Sequence, residues 1–286
     1  MKALAIIFAS VFFVSLIGFA VTAAVTGFEL GNWADFQIGW FHGNRTPYNI
    51  NVSYPDAYDI IEINTIHANT TITISPDNIT RVKYVNPSPR VEFTSGVDNN
   101  VLVIRETMGL RVFSWGWGGS AGELYIEIPE NIYEHIYINA TSGTIIGALP
   151  EARNLKINLT SGNVTLNCTK SEALSSYDLQ ITSGDLKVTG LSGTGKVKMT
   201  SGRMDLDFAE WNGFLDANLT SGNLNVTVPS GSGARINFSR TSGQLYYNFD
   251  GDEGTMNKGF VISLGGENKQ DFNVHLTSGR AEIKTR

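Results

Sequence analysis

From Leu124 to the C-terminus, apolar and polar side chains alternate in short runs, and run after run breaks at the same tripeptide, Thr-Ser-Gly. Copies begin at 141, 160, 182, 200, 220, 241 and 277; the first six lie 18 to 22 residues apart and the last gap is 36. With the repeat Thr as position 0, positions −5, −3 and −1 are Leu155, Ile157 and Leu159 in one copy, and Tyr177, Leu179 and Ile181 in the next. Later copies give Leu215, Ala217 and Leu219, then Phe272, Val274 and Leu276. Beyond the glycine, positions +4, +6 and +8 are Val164, Leu166 and Cys168, then Leu186, Val188 and Gly190, then Met204, Leu206 and Phe208. Alternation with period two on both sides predicts a strand on both sides. The step from −1 to +4 is odd, so the tripeptide must turn a corner that resets the phase. The corner glycines Gly143, Gly162, Gly184, Gly202, Gly222, Gly243 and Gly279 supply the positive φ such a corner needs.

A repeat of about 20 residues predicts an all-β chain wound as a β-solenoid, a single-stranded parallel β-helix-like stack of rungs. At roughly 3.3 Å per residue each circuit is about 66 Å, with rungs about 4.8 Å apart. Ser and Thr hydroxyls are expected to bond to backbone in the corners and to stack on their counterparts above and below. The 36-residue interval reads as two periods with one degenerate copy, and the copy at Thr94-Ser95-Gly96 stands alone. In this reading the last rung ends the stack, and Arg280, Glu282, Lys284 and Arg286 guard its edge against strand addition.

Outward positions carry their own pattern. Position −4 runs Lys156, Asp178, Lys196, Asp216; position +3 runs Asp185, Arg203; position +5 runs Lys187, Asp205. Opposite charges one rung apart make a solvated face with register-fixing pairs, not a cluster of uncompensated carboxylates. That disfavours a polysaccharide lyase or hydrolase. One residue breaks the inward pattern without a reason legible in the sequence: Arg240 takes a −1 position otherwise held by Leu, Ile, Met or Ala.

The remaining chemistry is sparse. Net charge is −6, so no basic footprint for nucleic acid exists. Cys168 is the only cysteine, which rules out a disulfide framework and a zinc-ligand set built on thiols. No nucleophile elbow, phosphate loop or zincin motif occurs. His42, His67, His135 and His275 are scattered, and no metal, cofactor or catalytic residue is assigned. The acidic run Asp250-Gly251-Asp252-Glu253-Gly254 matches no calcium loop and reads as a solvated turn.

Three segments follow from the patterning. Residues 1–27 form a transmembrane anchor or signal peptide: Ala3 to Val25 carries no charge, and Lys2 before it with Glu29 and Asp35 after it places the rest outside the cell. Residues 28–59 are an aromatic-rich juxtamembrane linker or cap, and 60–286 are the β-solenoid. Within the latter, Val112 to Gly119 is a Gly-aromatic stretch whose Trp115 and Trp117 are candidates for contact with a ligand or membrane. Asn-x-Ser/Thr sequons recur at Asn44, Asn51, Asn69, Asn78, Asn139, Asn158, Asn163, Asn167, Asn218, Asn225 and Asn237, and suggest N-glycosylation of an external face.

A strand ending in proline, Tyr125-Ile126-Glu127-Ile128-Pro129, opens the repeats. Strand–Ser-Gly–strand units such as Leu159 to Val164 follow, and Val261 to Gly266 with Phe272 to Gly279 close them. With the N-terminal hydrophobic segment, these features resemble the toast-rack, or candidate-adhesin, family of β-strand-repeat envelope proteins. The resemblance covers roughly residues 60–286. It implies a surface-displayed β-solenoid without known catalysis, and it brings no site residues. The expected function is a non-enzymatic adhesin or envelope binding module on the outer face of an archaeal or bacterial membrane. Its partner would be a cell-surface glycan or an envelope protein. The alternative is a membrane-anchored module for envelope-stress sensing.

Overall fold

The computed structural model describes residues 49–55, 58–85, 91–108, 122–267 and 269–286. The segment read as an anchor, most of the 28–59 linker, Asn44, His42 and the Trp115/Trp117 stretch lie outside the described residues. Those described form 23 strands, and among them no helix is long and apolar enough to cross a membrane. Strand structure begins at Ile50, within the span read as linker.

The first group comprises β1 (Ile50–Pro55), β2 (Ile60–Thr65), β3 (Asn69–Ser75), β4 (Ile79–Val85), β5 (Val91–Asp98), β6 (Val101–Met108) and β7 (Glu123–Pro129). The middle group comprises β8 (Tyr133–Ala140), β9 (Thr144–Leu149), β10 (Ala152–Leu159), β11 (Asn163–Cys168) and β12 (Ser176–Ile181). It continues with β13 (Asp185–Leu191), β14 (Thr194–Met199), β15 (Arg203–Phe208), β16 (Leu215–Leu219) and β17 (Asn223–Val228). The last group is β18 (Gly233–Arg240), β19 (Gln244–Phe249), β20 (Asp252–Met256), β21 (Phe260–Gly265), β22 (Lys269–Leu276) and β23 (Arg280–Thr285).

In the middle the period reads directly into space. Each Thr-Ser-Gly corner carries the chain from an 11-stranded sheet to a 12-stranded one, and the link after the second strand brings it back. Strands β8, β10, β12, β14 and β16 are parallel neighbours in one sheet; β9, β11, β13, β15 and β17 are parallel neighbours in the other. A rung is thus two strands back to back, not a round tube. The inward positions Leu155, Ile157, Leu159, Val164, Leu166, Leu179, Ile181 and Leu219 are all buried in one core shared by both sheets. Burying each such side chain contributes about 1.5–3 kcal/mol. One inward position differs from the alternation. Gly190, at +8, adopts φ +78° at a register shift, and Leu191 takes the core site beside Phe208. The extra residue is a β-bulge, which period counting cannot see.

At the ends, chain order and spatial order part. The pair β22/β23 lies between β16/β17 and β18/β19, so the C-terminal rung is interior and not the edge of the stack. The 36-residue interval holds no degenerate rung. It holds β20 and β21, two antiparallel edge strands that flank β19 and β18. Residues 280–286 therefore guard no edge. The N-terminal end mirrors this arrangement with the chain reversed. There β2/β3 lies between β6/β7 and β8/β9, while β4 and β5 run antiparallel beside β7 and β6, and β1 lies beyond β4. Strand β7 separates the consecutive strands β3 and β4; strand β18 separates the consecutive strands β21 and β22. The hairpins on the other sheet at each end turn on paired positive-φ residues, Asn99-Asn100 between β5 and β6 and Asp250-Gly251 between β19 and β20. Two-residue turns with positive φ match the twist of the strands they join.

Candidate functional site

The corners form a column. Each repeat glycine has φ between +93° and +102°, and a methyl group on it would overlap a carbonyl oxygen of the corner on the adjacent rung. The bonds that tie corners together come from the backbone. Thr160 N–H donates to the Ala140 carbonyl, Ser161 N–H to Thr141 and Asn163 N–H to Gly143, each at 2.9–3.0 Å, and later rungs repeat the scheme. Corner hydroxyls mostly face solvent; Ser142, whose Oγ donates to the Ile66 carbonyl at 2.6 Å, is an exception. The expectation that hydroxyls carry the corner stacking is therefore corrected: Gly lets backbones approach closely enough for N–H groups to do it.

All these N–H groups point the same way along the stack, so the column has two unlike ends, as a helix does. At one end lies the corner Thr65-Ile66-His67-Ala68, which among the described residues donates to no further corner. The carboxylate of Glu106, at 3% exposure, accepts the N–H groups of Ile66, His67 and Ala68 on Oε2 at 2.7, 3.0 and 3.1 Å. Tyr84 donates its hydroxyl to the other oxygen. At the opposite end Arg240 donates from its guanidinium to the Gly243 carbonyl. That explains the arginine the alternation left unexplained: it caps the Gly243 carbonyl, and Glu106 caps N–H groups. An acid at an N–H terminus and a base at a carbonyl terminus are the favourable pairing. Sequence reasoning missed Glu106 because it sits one step past the alternation Leu102, Ile104; a glutamate at an inward position was the available signal.

The outward faces carry ladders. On the 11-stranded sheet Asn158 donates its amide to Asn139 at 2.7 Å, and Asn139 donates to Asn64 at 2.8 Å. Lys156, Asp178, Lys196 and Asp216 stand in register across β10, β12, β14 and β16, and Lys156–Asp178 closes to 4.0 Å. Asp185 pairs in register with Arg203, and Lys187 with Asp205. On the same 12-stranded sheet as these last two pairs, Tyr125, Thr71 and Ile146 are neighbours on β7, β3 and β9. Tyr125 and Ile146 are 42% and 47% exposed, and the Lys83 ammonium lies 6.0 Å from the Tyr125 ring centre. Asn69, Glu123 and Glu127 border this strip on the same strands.

The sequons divide by environment. Asn51, Asn78, Asn163, Asn167, Asn218 and Asn237 are exposed. Half-buried Asn69, Asn139, Asn158 and Asn225 donate their amides to Glu123, Asn64, Asn139 and Asp205. Cys168 keeps some exposed surface, yet desolvation of its sulfur pushes the thiol up to about 12, which leaves it protonated and unreactive at neutral pH. Burial likewise raises the Tyr177 phenol. His67 shares a hydrogen bond with Ser142, His275 with Ser239, and His135 stacks on Tyr137. The Asp250 carboxylate accepts the Gly231 N–H at 3.2 Å in its hairpin turn. No group of three or more His, Cys, Asp or Glu able to hold a metal ion occurs among the described residues.

The profile of a family described as Toastrack DUF4097 matches residues 133–284. Among solved structures, a candidate cell adhesion protein from Clostridium sporogenes is similar at 14% identity and TM-score 0.39, over 84% of this chain and 100% of that one. A candidate adhesin from Bacteroides fragilis is similar at 12% identity and TM-score 0.41, over 84% and 97%. A candidate lipid-binding protein from Parabacteroides distasonis is similar at 13% and 0.36, over 85% and 98%. No curated protein matches the chain.

Proposed function

The chain belongs to the Toastrack DUF4097 family, and from that premise we propose that it is a non-enzymatic, adhesin-like β-solenoid displayed on the outer face of an archaeal or bacterial envelope. The observation that carries the reading is the strip on β7, β3 and β9. Tyr125 and Ile146 offer apolar surface two strands apart, roughly 9.6 Å by strand spacing, and Thr71 lies between them. Lys83, Asn69, Glu123 and Glu127 surround them with hydrogen-bonding groups. A flat apolar strip with a polar border suits the faces of sugar rings in an extended glycan, with Tyr125 as the stacking platform. A membrane anchor in residues 1–27 would hold the module at the surface, and glycans on Asn51 and Asn163, which stand on the same outer face at either side of the strip, would border it.

Binding of the full chain to cells and to an array of envelope glycans tests the reading. Tyr125→Ala is expected to weaken binding at least tenfold without altering the fold. Trp115→Ala with Trp117→Ala probes the second candidate surface. Full binding by Tyr125→Ala and loss in the double tryptophan variant would move the site to that stretch. Full binding by both would overturn both surfaces.

A further inference from the structure

The two ends of the stack are finished differently. At the N-terminal end the outermost strands of the two sheets are β1 and β5. They are joined by a hydrogen bond between the Tyr54 hydroxyl and Ser95 Oγ at 2.8 Å. Behind it Tyr84 and Phe93 meet at 5.0 Å, and Tyr58 and Tyr133 stack at 5.7 Å. Strand β1 ends in Pro55, and β5 carries Glu92 and Asp98. These are the devices that keep sheet edges from pairing with other chains.

At the C-terminal end the edge strands are β20 and β21. Strand β20 holds Asp252 and Glu253. Strand β21 reads Phe-Val-Ile-Ser-Leu-Gly, with no charge, no proline and β-branched residues at its centre. Among the described residues it pairs only with β18, so one whole hydrogen-bonding edge is open. Phe260 and Val261 are 62% and 56% exposed. Phe260, Ile262 and Leu264 lie opposite Phe238, Ile236 and Ala234, which are buried, so these three share the core-facing side. Phe260 on that side is left in water at the open end of the core.

We propose that β21 pairs with β21 of a second copy of this chain, antiparallel about a two-fold axis through Ile262. Two features select that occupant. In this register Phe260 faces Leu264 of the second copy and Ile262 faces its own counterpart, so both cores become continuous and Val261 faces Ser263 on the outer side. A neutral strand also meets its own copy without like charges opposed. Pairing to the closed N-terminal end would instead set it against Glu92, Asp98 or Pro55. A two-fold contact of identical strands closes on itself and gives a dimer, not a fibre.

The test uses the full chain in mild detergent. Oxidised Ile262→Cys is expected to double the 31.2 kDa species on a non-reducing gel, while wild type and Thr255→Cys do not cross-link. Adding Val261→Lys to Ile262→Cys places a charge on the edge and is expected to abolish the cross-link, with the circular dichroism spectrum and melting temperature unchanged. Sedimentation of the wild type supplies an independent readout: a dimer is expected, and a monomer for Val261→Lys alone. A wild-type monomer at tens of micromolar overturns the proposal. So does a dimer that persists in Val261→Lys, or a β21 edge that becomes available for cross-linking only when residues 1–48 are removed. None of these outcomes depends on glycan binding, so the proposal stands or falls separately from the adhesin reading.

Discussion

The middle of the stack and its ends belong to the same two sheets, and differ in the relation between chain order and neighbour order. From β8 to β17 each rung rests on the rung just made, about 20 residues earlier. At either end a pair of strands slips between rungs that the chain visits at other times: β2/β3 inside β6/β7, and β22/β23 inside β18/β19. The middle is quasi-one-dimensional and additive. The ends are closed by contacts between strands far apart in the chain, and they bring the antiparallel strands that stop the stack.

The largest effect should come from breaking that contrast directly. Removing residues 269–286 takes β22 out from between β16 and β18, and β23 out from between β17 and β19. The rung β18/β19 then has no interior neighbour, and Phe238, Leu245 and Phe249 lose the strands they pack beside. The truncated chain is expected to lose cooperative unfolding for everything beyond β17, read by amide exchange. Excising 182–199 instead removes one complete period from the middle and rejoins Ile181 to Thr200, the start of an identical corner. That shorter chain is expected to fold, with a melting temperature lower by a few degrees. Equal damage from the two deletions would mean that middle rungs are no more interchangeable than ends.

Next in size is the carboxylate at the N–H end of the corner column. Glu106→Ala takes their shared acceptor from three N–H groups and ends the Tyr84 hydrogen bond to the carboxylate; with about 1–3 kcal/mol for each buried donor left unsatisfied, a loss of about 3–5 kcal/mol is expected. Glu106→Gln keeps one oxygen for the three N–H groups and should cost about 1–3 kcal/mol. Arg240→Ala, at the half-exposed carbonyl end, should cost about 1 kcal/mol or less. Urea titration orders the three. An arginine effect as large as that of Glu106→Ala would mean that burial is not what separates the two ends of the column.

The middle was legible in the sequence because period, alternation and corner all act locally. Inward Leu155, Ile157 and Leu159 and the charge registers of Lys156 with Asp178 and Asp185 with Arg203 follow from counting. Order at the ends was not legible, since a period says that rungs stack but not which rung lies beside which. A partial signal did exist: Asp250-Gly251 between alternating strands is a hairpin turn, and reading it so would have replaced the degenerate rung in the 36-residue gap by a hairpin. Gly190 was misplaced because a bulge shifts phase by one residue without changing composition. Arg240 stood out as an inward charge and Glu106 was passed over, and the roles of both depend on which corner ends the column, a property of the whole stack. The strip at Tyr125 and Ile146 escaped notice for the same reason, as β3 joins residues far apart in the chain.

Identical tripeptides in the two settings give a sharper, smaller test. Gly202 sits in the column at φ +99°, where a Cβ would strike the Gly184 carbonyl. Gly96, in the isolated copy on β5, has open space around it and no positive φ. Gly202→Ala combines backbone strain with displacement of a neighbouring rung and should cost about 2–3 kcal/mol. Gly96→Ala should be neutral or stabilising by up to about 1 kcal/mol. Thermal melts of the two variants compare them directly. A neutral Gly202→Ala would mean that the corners give way easily and that the column contributes little to holding rungs in place.

The smallest effect concerns how the N-terminal end keeps its crossing in place, and it appears only in acid. The turn from β3 to β4 passes the end of β7 and is held by Asp77. Arg81 donates to this carboxylate at 2.6 and 2.9 Å and also reaches Glu127 on β7 at 3.3 Å. The hydrogen bond from Arg81, helped by Ser75, lowers Asp77 from 3.8 to about 2. A depressed acid stabilises the folded state above its unfolded value and loses that contribution as protons bind. Wild type should therefore lose stability from this group between pH 4 and about 2. Asp77→Asn removes the titration, so the difference in melting temperature between the two proteins should be largest above pH 4 and shrink toward pH 2. Salt should narrow it further, because the pair faces water. The crossing at the other end depends on Gly265 and Gly266 lying against the Ser232 and Gly231 carbonyls. Amide exchange near β22 should therefore keep its pH dependence in Asp77→Asn. A change there would mean that the two ends communicate through the middle, contrary to additive rungs.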